Sequence, residues 1–340
     1  MSILEHWHPV TSIRSLKKGP IGVKIDGQEI AVFRTKSGAL GALADACPHR
    51  RMRLSLGRVQ GEKLMCHYHG WTFDCEGQGE SPGTPKMHAC TKAYEVKQAH
   101  GYVWVREAGS ETEFPQFDID GFLYIGSTEH QAPAPLELTL DNFCEIEHTP
   151  TVHAVFGYEL NKMHEVQVKF ETTEKTVRVI NHGPAKRINP ILARLIGIRR
   201  GYEFWDDWTT HFSPVHSIYD HWWIDPQTGK ESKVRWRVYI FFTPVEANLT
   251  RVTSFTFAKS RWPFGPAGGL RPFRWLMRKH LRREIGLDLH ILKGLASHNP
   301  SIEGMKLSRF DKALGLNRER IERIYRKKSD TRQELTLISG

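Results

Sequence analysis

No run in this 340-residue chain approaches the roughly 20 consecutive apolar residues of a membrane-spanning helix, so a protein built on helical spans is excluded. Cysteine is scarce. Cys47, Cys66, Cys75, Cys90 and Cys144 make five, an odd number that argues against a disulfide framework and for a reducing compartment. The opening residues MSILEHWHPV contain no positively charged segment leading into an apolar one. A secretory leader is therefore not expected, and the cytoplasm is the expected location. Neither an internal repeat nor a low-complexity tract is present. Acidic residues are in deficit, 38 against 48 lysines and arginines, for a formal charge of +10. Such a charge attracts phosphate without sequence preference. No nucleic-acid recognition motif accompanies it, so nucleic acid is not an expected partner, and without a spanning run neither is a membrane.

What the chain does have is concentrated in two short loops. Cys47-Pro48-His49 and Cys66-His67-Tyr68-His69 each offer one thiol and one imidazole, with sixteen residues between them. Two cysteines and two histidines, in place of four cysteines, form the donor set of a Rieske [2Fe–2S] centre, and the exchange raises its reduction potential. Soft sulfurs suit one iron and neutral imidazoles the other. Imidazole also carries a proton, which can couple electron transfer to pH. Structural zinc sites draw on the same residue types but usually group C-x2-C on one side and paired histidines on the other. The alternating order here fits zinc less well. Within the second loop the C-x2-H spacing selects His69 over His67. Pro48 and Gly70 provide turn residues, and Trp71 and Phe73 are available to cover a cluster.

A second constellation, Asp141 to His153, reads DNFCEIEHTPTVH and contains E-x2-H-x4-H. Two imidazoles and a carboxylate on one face of an iron leave the opposite positions open for oxygen and substrate. Asn142, Glu145 and His148 recur every three residues, so one helical face could carry all three. Pro150 would then break or kink that helix and swing His153 back towards His148. An amphipathic segment with two incidental histidines would read the same way by itself. Downstream of a cluster motif the metal reading prevails, because electrons held at one site need a second site to use them.

The segment CPHRRMRLSLGRVQGEKLMCHYHGWTFD resembles the cluster-binding region of the Rieske non-haem iron oxygenases almost throughout. His67 departs from it, standing where that family commonly has proline. The resemblance implies that Cys47 and Cys66 bind one iron of a [2Fe–2S] cluster and His49 and His69 the other. His148 and His153 would bind a mononuclear Fe(II). RREIGLDLHIL, residues 282–292, resembles the family's C-terminal helix and supplies Asp288 as the third ligand. Glu284, one helical turn earlier, is the competitor and has no assigned role if Asp288 is the ligand. Asn142 would stand behind the iron site.

The resemblance further implies a homotrimer in which one subunit's cluster faces its neighbour's iron. Glu145 would bridge His69 of one chain to His148 of the next, although the family usually has aspartate at that position. Electrons would come from an acidic ferredoxin or flavin reductase, with NAD(P)H serving only indirectly. The short chain and the D-N-x2-E-x2-H-x4-H spacing resemble the monooxygenase and demethylase branch. Hydroxylation or oxidative demethylation of a small organic substrate is the first expectation. Aromatic cis-dihydroxylation comes second, and a Rieske electron carrier without oxygenase activity is the alternative of a different class.

Length and patterning suit two cores. Strand-like runs separated by Gly and Asp-Gly turns fill residues 1–115, as in a small antiparallel β domain. Residues 116–135, with Pro133 and Pro135, read as a linker. Residues 136–340 carry alternating runs such as Val234 to Phe242, then a helical pattern from about Arg271. The expected class is α+β, an N-terminal Rieske domain followed by a helix-grip catalytic domain. Basic residues gather at His49–Arg53 and at Arg271–Arg283, where a positive field could steer an acidic donor. Phe204–Trp208 and Tyr219–Trp223 combine aromatic and acidic residues. They could line a pocket for an aromatic or cationic substrate, or pack a core as sheet residues.

Overall fold

The computed structural model describes residues 3–261 and 269–327. It divides into two compact units. The first runs to Pro115 and also takes in Thr243–Ala247; the second holds Gln116–Phe242 and the chain from Asn248 onward.

The first unit is β throughout, with short 3-10 turns. One three-stranded sheet is β2 (Ile21–Ile25), β3 (Gln28–Arg34) and β4 (Leu40–Ala44); another pairs β1 (His8–Ser12) with β11 (Tyr102–Glu107) and β10 (Tyr94–Ala99). A five-stranded meander follows in order: β5 (Arg58–Gln60), β6 (Lys63–Met65), β7 (Thr72–Phe73), β8 (Gln78–Ser81) and β9 (Thr84–Cys90). Alternation turns Leu64 and Phe73 inward, where they pack with Phe33, Leu43, Leu54 and Trp71. Cys47 and Cys66 belong to that same core.

The second unit is a seven-stranded antiparallel sheet in the order β12 (Leu123–Ala132), β18 (Leu249–Ser260), β17 (Val234–Glu246), β16 (Val215–Ile224), β15 (Glu203–Phe212), β14 (Thr176–Pro184) and β13 (Gln167–Thr172). Helices α1 (Leu136–Phe143), α2 (Thr149–Val152), α3 (Pro190–Ile196), α4 (Arg274–Lys293) and α5 (Lys312–Arg320) complete it. The linker expected over 116–135 needs correction. Half of it is β12, which pairs with β18 from Leu123↔Ala258 to Ala132↔Thr250. The prolines that suggested a linker flank this strand and leave its ladder intact.

The helix expected to carry Asn142, Glu145 and His148 on one face is also interrupted. Helix α1 stops at Phe143, and Glu145 lies in the turn between helices. Pro150 does not break a helix; it sits in the first turn of α2. Amides there have no intrahelical partner, so a residue without an N–H loses nothing. His148 and His153 are the two caps of α2.

Candidate functional site

The two cluster loops share one backbone plan. The Cys47 amide donates to the Met52 carbonyl (2.8 Å), and the Arg51 amide donates to the Cys47 carbonyl (2.8 Å). Nineteen residues on, the Cys66 amide donates to the Trp71 carbonyl (2.7 Å) and the Gly70 amide to the Cys66 carbonyl (3.2 Å). The fifth residue of each loop is left-handed: φ is 58° at Arg51 and 73° at Gly70. Glycine takes that conformation freely, whereas arginine does so only because the loop demands it. Both thiols point into the core and both imidazoles point outward, which separates a buried sulfur side from an exposed nitrogen side. The His49 and His69 rings lie 4.5 Å apart between centroids, and Trp71 stacks on His49 at 4.9 Å. Burial pushes the Cys47 thiol up to about 11, so a metal has to displace its proton. The set suits a cluster that is half-sunk in the protein. Cys75 packs against the same core and Cys90 lines a pocket with His49, His69 and Trp71, but neither belongs to the two loops.

In the second unit the structure brings His148, His153 and Asp288 together. Their donor atoms all lie within 4.8 Å of one another. The two Nε2 atoms are 3.0 Å apart, and Asp288 Oδ1 is 3.3 Å from the first and 3.4 Å from the second. Asp288 is buried, and this oxygen has no hydrogen-bond partner among the described residues. A buried orphan carboxylate oxygen between two converging imidazoles is the arrangement a divalent cation satisfies. Burial opposes a charge on His148, but contacts with Asp288 and Glu145 outweigh it and push its pKa up to about 10. Metal uptake would release that proton.

Four further side chains fix the geometry. The Glu145 carboxylate contacts His148 Nδ1 and accepts the His148 amide (3.1 Å). Tyr219 donates to the Phe143 carbonyl (2.7 Å) and so pins the end of α1 just before that turn. Lys186 donates to the carbonyls of Thr149 (3.0 Å), Pro150 (3.0 Å) and His153, clamping the C-terminal end of α2, where carbonyls lack partners. Glu284 is not a rival of Asp288 but its complement. Its Oε2 lies 3.2 Å from His153 Nδ1 and accepts the Ala154 amide at 3.0 Å. Four residues apart on α4, the two carboxylates meet opposite ends of the same imidazole. Asn142 stays part-buried with its amide nitrogen unpartnered, while its neighbour Asp141 holds Arg318 of α5 (2.8 Å).

Parity divides the aromatic and acidic strands. Phe204 and Asp206 of β15 and Tyr219 and His221 of β16 line a cavity of about 80 Å³ beside His148, His153 and Asp288, together with Phe156. Asp206 and His221 are cross-strand partners, with Oδ1 and Nε2 3.0 Å apart. On the other face Trp205 stacks with Trp222, and the opposed Asp207 and Asp220 are neutralised by paired contacts from Arg178 and Arg237.

Residues 6–97 match the Rieske [2Fe-2S] domain family, and residues 132–305 match the vanillate O-demethylase oxygenase C-terminal domain family. The chain belongs to the Rieske oxygenases of the vanillate O-demethylase type. Its relatives include Protein TIC 55, chloroplastic, of Arabidopsis thaliana, 30% identical over 188 residues, which are 51% of this chain and 35% of that protein. Methylxanthine N1-demethylase NdmA of Pseudomonas putida is 32% identical over 163 residues, 43% of this chain and 46% of that one. The chain thus spans between a third and a half of the length of these curated relatives. Dicamba monooxygenase bound to 3,6-dichlorosalicylic acid superposes with a TM-score of 0.80 at 17% identity over 96% of this chain and 98% of that one, which shows a shared fold.

For a Rieske oxygenase chain both donor sets fit the groups that the family holds: two buried sulfurs with two exposed imidazoles, and two imidazoles with one carboxylate. Lys186 was not legible as a site residue, because nothing in its local sequence marks it; Tyr219 and the Asp206–His221 pair fall in the two aromatic and acidic runs, but composition did not separate them from their neighbours on the other face. Glu284 was legible only as an alternative ligand. Replacing Glu284 with alanine is now expected to weaken iron retention about 10–100-fold, the usual cost of losing a carboxylate behind a ligating histidine. The cluster spectrum should not change. Iron analysis after dialysis against a chelator reads the effect, and full retention would refute the orienting role.

Proposed function

We propose that the protein is the terminal component of an oxygenase that hydroxylates or oxidatively demethylates a small organic substrate. The observation that carries this reading is the buried His148–His153–Asp288 cluster opening on a cavity walled by Phe156, Phe204, Tyr219, Asp206 and His221. When bound, a [2Fe–2S] cluster supplies single electrons and a ferrous ion supplies dioxygen activation. This chain's own residues hold, orient and exclude. Cys47, His49, Cys66 and His69 are the proposed cluster ligands, and His148, His153 and Asp288 the iron ligands. Glu145 and Glu284 sit against the Nδ1 atoms of the two histidines and leave each Nε2 lone pair facing the metal. Leu281 and Ile285 of α4 face Val238 and Ile240 of β17 across the cavity and keep water out. Asp206 and His221 are polar groups in an otherwise largely apolar wall and would orient a polar substituent of the substrate. The D-N-x2-E-x2-H-x4-H spacing favours hydroxylation or demethylation over aromatic cis-dihydroxylation.

Metal analysis tests the class. The reading expects three irons and two acid-labile sulfides per chain. Two of each would leave only an electron carrier, and zinc without sulfide would remove both readings. A substrate screen following oxygen uptake with a ferredoxin or flavin-reductase donor then addresses the reaction. The exposed Arg50, Arg51 and Arg53 beside His49 support an acidic donor, and the cytoplasm is the proposed location.

The proposed assembly is a head-to-tail homotrimer, a heterologous ring closed by three-fold symmetry. In it Glu145, already against His148 in its own chain, would meet the exposed His69 of the next. Mixing two inactive variants, His49→Ala and His148→Ala, should restore activity in verified mixed trimers. Mixed trimers that stay inactive while the wild type turns over would place electron transfer within one chain.

A further inference from the structure

Helix α4 has two unlike halves. From Leu281 onward one face is buried by Leu281, Glu284, Ile285, Asp288, Leu289 and Leu292. Its first turns, with the 3-10 turn Arg271–Phe273 that leads into them, are different: apart from the part-buried Met277, every residue from Arg271 to Lys279 is exposed. Phe273 is 43%, Trp275 65% and Leu276 45% accessible, and Ile191 of α3 is 73% accessible. A soluble surface seldom leaves large side chains bare in one cluster. Ile191, Phe273 and Leu276 line a cavity of about 460 Å³ whose walls also include Leu192, Trp236 and Met277, and Trp275 lies between Phe273 and Leu276 in the chain. His280 and Ala154 also line it, and each contacts Glu284, the carboxylate behind His153.

The stretches of chain that carry this apolar rim hold charge of one sign in sequence. Between Glu246 and Glu284 the chain has nine lysines and arginines and no acidic residue; from Lys175 to Tyr202 it has seven and none. Both elements that bear the exposed apolar residues come from those stretches. Arg271, Arg274, Arg278 and Lys279 form no ion pair among the described residues. A partner must therefore be apolar at its centre and negatively charged around it. Tryptophan and phenylalanine rimmed by arginine are the side chains that settle at a lipid–water boundary, with the basic groups on anionic headgroups.

We propose that the first turns of α4, together with α3, form a docking surface for an anionic lipid bilayer. The protein lies on the membrane without crossing it, and the 460 Å³ cavity opens into the lipid. The absence of any spanning run led the sequence reading to expect no membrane partner. That reasoning excludes a span but leaves a surface contact open. Resting on the oxygenase reading, the same geometry makes the substrate a lipophilic molecule that enters from the bilayer.

Vesicle co-sedimentation of the full-length chain tests the docking without turnover, so it stands or falls apart from the oxygenase reading. The chain should pellet with phosphatidylcholine vesicles containing phosphatidylglycerol and much less with phosphatidylcholine alone. Phe273→Asp with Trp275→Asp should lower partitioning at least tenfold. Arg274→Gln with Arg278→Gln should lower it about thirtyfold at low salt, at about fivefold per basic residue. A far-ultraviolet circular dichroism spectrum and a melting temperature like those of the wild type certify the fold of each variant. Failure to pellet with anionic vesicles at low salt would overturn the proposal, as would wild-type pelleting of both double variants. So would a change in the lipid-free particle mass with the Asp double variant, which would mark the surface as a contact between copies of the chain.

Discussion

Cys66→Ala should abolish the red-brown visible spectrum and the acid-labile sulfide, leaving at most the mononuclear iron. Cys66 directly follows β6, in a core shared with Leu64, Trp71 and Phe73, and its thiol points inward beside that of Cys47. No other sulfur can replace it, because the loop closes by backbone bonds from Cys66 to Gly70 and Trp71 and cannot slide. Water cannot stand in for a thiolate in this apolar setting. Cys75→Ala and Cys90→Ala should keep full colour. Activity with the natural donor should be lost entirely in the Cys66 variant. A bleached Cys75 variant alongside a coloured Cys66 variant would overturn the ligand assignment.

The second large effect is expected at Asp288. Asp288→Ala should retain the cluster spectrum, lose the mononuclear iron and form no product. Its Oδ1 is the one carboxylate oxygen within reach of both His148 Nε2 and His153 Nε2, and α4 presents no substitute at that position. Two neutral imidazoles without the carboxylate hold a ferrous ion far more weakly. The loss should exceed the roughly 10–100-fold expected for Glu284→Ala, which removes only an orienting partner. Iron content, product formation and the visible spectrum, measured on the same preparations, separate the two variants. Greater iron loss from the Glu284 variant than from the Asp288 variant would reverse the assignment by one helical turn.

The two α4 carboxylates also show where reading along the chain stops. Asp288 and Glu284 lie on one helix face, and sequence spacing cannot say which meets an imidazole's Nε2 and which its Nδ1. Only the orientation of α4 against α2 separates them. The same holds for Phe204–Trp208 and Tyr219–Trp223, whose residues alternate between the cavity and the opposite sheet face. Composition marks both runs as aromatic and acidic, but it does not reveal which parity faces the metal cluster. Lys186 is a plainer case. It clamps carbonyls 33 to 37 residues away, and nothing around it in sequence indicates that it meets α2.

The sequence by itself singled out the proposed cluster donors and the two histidines proposed for the second site. Those ligands lie within a few residues of one another on turns whose proline, glycine and spacing are local properties. It also determined the α+β class and the strand-rich first unit, through alternation and turn residues. Tertiary structure alone decided the remainder: the place of β12 in the sheet, the end of α1 at Phe143, and the partnership of Glu284 with Asp288. It also decided the bare apolar and basic end of α4. Each of these depends on which surfaces meet across long stretches of chain, and local preference carries no information about such meetings.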